Sequence, residues 1–129
     1  MKNEIINKVI EKLKQENTDF NEIYKENHIL KAPKHQVVIK YPNDYGVSII
    51  YHAGSYGNKE GLVELGVLNF RKVSNEDDLN IGGDLGDSEL VYDTGVTDDV
   101  IGYCSYDDVL KHLDEIESLK RGEWYYEWF

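Results

Sequence analysis

The 129-residue chain carries 25 Asp and Glu against 14 Lys and Arg, a formal net charge of −11, with 40% hydrophobic and 12% aromatic residues. That length supports one core rather than two, and fifteen aromatics, ten of them Tyr, exclude a disordered chain. The lone cysteine, Cys104, excludes an internal disulfide and a multi-thiolate zinc site, and the acidic balance repels phosphate backbones, so no direct nucleic-acid binding is expected.

The opening MKNEIINKVIEKLKQE is charged every few residues, so neither a secretory signal nor a membrane span is expected and a cytoplasmic location follows. Ile5, Ile6, Val9, Ile10 and Leu13 keep helical spacing, which predicts an amphipathic helix ended by the polar NTD turn. FNEIYKENHIL reads as a second, short helix with Phe20, Ile23 and Tyr24 on one side. From Pro33 the period changes to two. HQVVIKY and VSIIYH, joined by the PNDYG turn, form a hairpin with Val37, Ile39, Tyr41, Val47, Ile49 and Tyr51 alternating inward. After the glycine-containing loop AGSYGNKEG, LVELGVLNFRKV is apolar on both faces: Val63, Leu65 and Val67 on one, Leu68 and Phe70 on the other. That marks a central strand. ELVYD and VTDDVIGYC supply further extended pieces. In SYDDVLKHLDEIESLK, Ser105 and Asp108 form a capping box, Val109, Leu113 and Ile116 make the inner stripe, and Gly122 is the expected stop.

The expected architecture is α+β, a small antiparallel meander of three to five strands flanked by an N-terminal and a C-terminal helix. One domain, 1–129, comprises a helical segment at 1–32 and a sheet at 35–104 with an acidic connection at 74–88. A helix at 105–121 and an aromatic tail at 122–129 complete it.

The charge is not spread evenly. Val73 to Leu110 holds eleven acidic residues and no Lys or Arg, while the other fourteen acidic residues balance fourteen basic ones. Such a stretch steers a cationic partner at long range, and binding through it weakens with salt. Asp77, Asp78, Asp84, Asp87 and Glu89 are the candidate contacts to a basic protein surface. The plainer reading is that negative charge keeps the protein soluble. The alternative is a cation- or small-molecule-binding protein that uses the acidic loop 78–89, which resembles a calcium loop with Asp78, Asn80, Asp84 and Glu89 as candidate ligands. Asp78 falls at position 1 of the EF-hand pattern, Asn80 at 3, Gly83 at the turn position 6 and Glu89 at 12. Gly82 leaves position 5 without a ligand, and the flanks read as strand rather than helix, which favours a solvated connection.

Other constellations carry less chemistry. GSYGNKEG lacks the GK[ST] ending of a phosphate loop and joins two strands, so nucleotide binding is rejected; Gly54, Gly57 and Gly61 supply backbone freedom, and Tyr56, with Tyr45, is a candidate contact residue. His28, His35, His52 and His112 fall in separate elements and read as surface or strand-edge residues; a Cys104–His52 nucleophile pair has no sequence support, so no enzymatic activity is expected. The tail EWYYEWF places Trp124, Tyr125, Tyr126, Trp128 and Phe129 together. These rings either pack on the sheet or the first helix, or form a hot spot, with Trp124 and Trp128 contacting a partner or a second copy.

YPNDYGVSIIYHAGSYGNKEGLVELGVL, followed by LVYDTGVTDDVIGY and a closing amphipathic helix, resembles a group of small uncharacterised bacteriophage and prophage proteins. That group has a GYG-like turn, an SYG loop leading to GL-x-EL-x-VL, and a YDT-x-x-T-x-DV-x-G-Y segment. Here these fall at Tyr45–Gly46, Ser55–Gly57, Gly61–Leu68 and Tyr92–Tyr103, within a match spanning Tyr41 to Leu119. Gly95 replaces an expected proline, and the acidic residues 74–88 replace a short hairpin turn. The first helix and the tail lie outside the match. The resemblance implies a mobile-element origin, not an activity; by analogy alone, since small acidic phage proteins often act stoichiometrically, the expected role is binding and blocking a host nuclease or other defence protein.

Overall fold

The computed structural model describes residues 2–27, 32–52, 54–70, 85, 88–90 and 100–119. The order is α1 (Glu4–Gln15), β1 (Asp19–Asn27), β2 (Ala32–Lys40), β3 (Tyr45–Tyr51), β4 (Val63–Asn69), β5 (Glu89–Leu90), β6 (Ile101–Cys104) and α2 (Tyr106–Glu117), with a 3₁₀ turn at Asn58–Glu60. Every pairing among the described residues is antiparallel: β1, β2, β3 and β4 are neighbours in chain order. The far edge of β4 is shared, with β5 opposite Leu68 and Asn69 and β6 opposite Val63 and Leu65. The fold is α+β.

Pairing register turns the period-two pattern into one core. Val37 faces Ile49, which faces Leu65; Ile39 faces Val47, which faces Val67. All six are buried, and Ile6, Val9, Ile10 and Leu13 of α1 with Val109, Leu113 and Ile116 of α2 cover them. Both helices therefore lie on one side of the sheet.

The helix ends follow from particular side chains. The Asn3 side chain accepts the Ile6 N–H at the start of α1. Asn17 beyond its end is left-handed (φ 55°), and Thr18 N–H reaches the Leu13 carbonyl, as a Schellman motif requires. At α2 the Ser105–Asp108 capping box forms as expected. Its end differs: α2 stops at Glu117 with Ser118 as the cap, short of Gly122. Asn43, in the β2–β3 turn, donates from Nδ2 to the carbonyls of Ile116 and Leu119 at 2.9 and 2.8 Å and so closes α2 from across the molecule.

FNEIYKEN is a strand, not a helix. Phe20, Ile23 and Tyr24 keep helical spacing, but nine consecutive pairs with β2, from Asp19↔Lys40 to Asn27↔Ala32, satisfy its backbone. Phe20 faces Ile39 at the core, and Ile23, one face away, faces Gln36. No helix among the described residues is long and apolar enough to cross a membrane.

Candidate functional site

The expected contact residues separate sharply. Tyr45 is a core residue, 3% exposed, and offers no surface to a partner; the hairpin turn carries its ring inward. Tyr56 is 60% exposed. Asp77, Asp78, Asn80, Asp84, Asp87, Trp124 and Trp128 lie outside the described residues, and Glu89 is described only as backbone of β5. Among the described residues no cluster of three or more His, Cys, Asp or Glu could hold a metal.

Tyr56 does not stand alone. Its ring stacks on Tyr103 with centroids 6.4 Å apart and planes 25° apart, and Tyr103 is also 60% exposed. They are the exposed large hydrophobic side chains among the described residues. Several backbone features hold the pair. Opposite Val63–Leu65, β6 spends an extra residue between Ile101 and Cys104, a bulge that contains Gly102 and Tyr103. Tyr103 within it is left-handed, φ 55°, a conformation that disfavours a bulky residue. Its N–H donates to the Tyr56 carbonyl at 3.3 Å. Gly57 is left-handed, φ 88°, and a Cβ at Gly102 would lie 2.5 Å from the Tyr56 Cβ, so only glycine lets the two segments meet. Bulges of this kind re-aim a side chain; this one turns a tyrosine out beside another. Gly61 is also left-handed, as the loop reading expects, but Gly54 is not.

Glu64 joins this platform to the outer face of the sheet. Its Oε2 accepts the Tyr56 N–H at 3.1 Å, and the same residue lines a depression of about 230 Å³ with His52, Ile50, Leu68 and Leu90. Gly66 forms part of its floor. That volume is below the roughly 300–1,000 Å³ of sites for drug-sized ligands and suits one side chain.

His35 departs from the surface reading. It is fully buried, and the Asn3 N–H donates to its Nδ1 at 2.9 Å. Nε2 must then carry the proton, which it directs to Glu22 Oε2 at 2.7 Å. Lys2 donates to the same oxygen at 3.0 Å, and Asn3 Nδ2 donates to the Gly61 carbonyl at 2.9 Å. Burial pushes the His35 imidazole below its ordinary range, against the pull of the Glu22 carboxylate. Burial would raise the Glu22 carboxyl, but hydrogen bonds from His35 and Lys2 hold it below its ordinary range. Both ring nitrogens are committed, so the His35 imidazole has no free lone pair for proton abstraction; the network fastens the start of α1 to β1, β2 and the 57–61 loop.

Cys104 and His52, which nothing in the sequence brings together, make no hydrogen bond to each other and have other partners. The Cys104 thiol is buried, with its Sγ 3.6 Å from the Ile101 carbonyl, and burial, with the fields of Asp108 and Glu64, pushes it up to about 11. His52 Nδ1 instead accepts the Gly54 N–H at 2.9 Å. His112 pairs with Glu115 one turn along α2, and His28 lies outside the described residues.

Sequence reasoning missed Tyr103, Glu64 and the His35 network. No local signal marks Tyr103, because residue preference argues against a tyrosine in a left-handed bulge. Asn3 and His35 are 32 residues apart and meet only once the sheet is built. No protein-family model, curated protein or solved structure matches the chain.

Proposed function

We propose that this protein works by binding a protein partner with a basic surface. The observation that carries the reading is the exposed Tyr56–Tyr103 pair, held in place by a strained backbone and two close glycine contacts. Exposed tyrosines on a rigid support are the residue type that dominates protein hot spots, because a large ring is buried at little entropic cost. The acidic run from Val73 to Leu110 supplies long-range attraction, with Asp77, Asp78, Asp84, Asp87 and Glu89 facing the partner's cations. By analogy with small acidic phage proteins that bind and block host factors, the proposed partner is a host defence or nucleic-acid-binding factor, with inhibition as the outcome of binding.

The test is affinity capture from bacterial lysate at low and high salt, with proteins identified by mass spectrometry. Recovery of one basic protein at low salt, reduced at high salt and in the Asp84→Asn/Asp87→Asn variant, is expected. Capture of no specific protein at either salt contradicts the reading.

A further inference from the structure

We propose that the Tyr56–Tyr103 platform, with the Glu64 carboxylate at its rim, receives an arginine side chain of the partner. This rests on the protein-binding reading above and names the chemistry recognised. Three features converge on it. First, Tyr56 and Tyr103, each 60% exposed, leave aromatic surface of a stacked pair in solvent, and a planar guanidinium stacks on a tyrosine better than a compact ammonium does. Second, Glu64 lies at the seam. Its Oε2 holds the Tyr56 N–H, and its Oε1, which accepts no hydrogen bond among the described residues, is the acceptor offered to the fork of an arginine.

Third, the local charge is negative. Glu60 is exposed in the same loop, and the fields of Asp108 and Glu64 both reach Cys104, the residue after Tyr103. The exposed Lys59 is outnumbered by these carboxylates. The depression beyond Glu64 has room for the aliphatic stem of one long side chain. A nucleobase would also stack on tyrosine, but it arrives with phosphates that a chain of net charge −11 repels. The backbone gives the same indication. Were residue 103 only a sheet connection, asparagine or glycine would occupy its left-handed conformation with less strain.

The experiment is calorimetric titration of the full chain, at low salt, with capped tetra-arginine and tetra-lysine peptides of equal charge. The acidic run attracts both, so the ratio of their affinities isolates the platform. Wild type is expected to prefer the arginine peptide about fivefold, the size of an exposed cation–π contact with one added pairing. Tyr56→Leu removes a π face while keeping apolar bulk. Tyr103→Asn removes the other and tolerates the left-handed backbone. Glu64→Gln removes the rim charge. Each is expected to bring the ratio towards one while the lysine peptide still binds. Thermal unfolding of the three variants establishes that they fold. Equal affinities in wild type, or a preference that survives all three substitutions, overturns the arginine platform but leaves the basic-partner reading standing. Binding of neither peptide at low salt overturns both.

Discussion

Tyr103 and His35 show how single residues set stability here. At Tyr103 two terms oppose each other. The left-handed conformation costs about 1–2 kcal/mol, and stacking on Tyr56 returns about 0.5–1.5 kcal/mol. Tyr103→Asn relieves the first and loses the second, so chemical denaturation is expected to place it within about 1 kcal/mol of wild type. A loss well beyond ~2 kcal/mol would mean that the ring is structural after all. His35 behaves differently, because its ring is buried with both nitrogens bonded. His35→Leu strands the Asn3 N–H and is expected to cost about 1–3 kcal/mol. Its folded-state affinity for protons is lowered from the ordinary 6.5, so the unfolded chain takes up a proton first as pH falls. Stability is then full above 6.5 and declines as pH drops through the window below it; the lowered Glu22 carboxyl adds a second decline below 4.5. Urea unfolding at pH 7.5 and 5.5 is expected to show a larger loss in wild type than in His35→Leu, and equal losses would remove His35 from the account.

Among the elements, close contacts set the tolerances. A Cβ at Gly46 would collide with the Ile39 carbonyl oxygen and lie 2.5 Å from Phe70 Cε2. Because the first contact is backbone in β2, Gly46→Ala must separate the central hairpin. It is expected to destabilise by about 3 kcal/mol or more, or to prevent folding. Asn43→Ala frees the last carbonyls of α2 and is expected to cost about 1 kcal/mol, seen as a lower unfolding midpoint and faster amide exchange near Ile116. Much of this layer was legible in the sequence. Period-two spacing gave the β2–β3 hairpin and β4, and the stripes of α1 and α2 and the Ser105 cap were readable as well. β1 was not, because Phe20, Ile23 and Tyr24 satisfy helical spacing and only pairing with β2 decides between the two periods. Asn43 was readable as a turn residue, but its capping of a helix more than seventy residues away depends on packing.

At the scale of the whole molecule, the proposed partner binding divides between charge and aromatic surface. In that proposal the acidic run supplies attraction at a distance, which falls with salt, and the tyrosine pair supplies contact at short range, which depends on geometry. The sequence supplied the first through its uneven charge and half of the second through Tyr56. It withheld the other half, since Tyr103 reaches Tyr56 only through the β6 bulge and the Gly102 contact. Tyr45 misleads for a related reason: neighbouring turns look alike in sequence, yet one points its ring into the core and the other into solvent. The measurement that tests the account most directly is an amide NMR titration of the isotopically labelled full chain with capped tetra-arginine. The account predicts saturable shifts centred on Tyr56, Gly57, Glu64, Gly102 and Tyr103, beyond any response in the acidic run. Shifts confined to the acidic run, with those five amides unmoved, would contradict it.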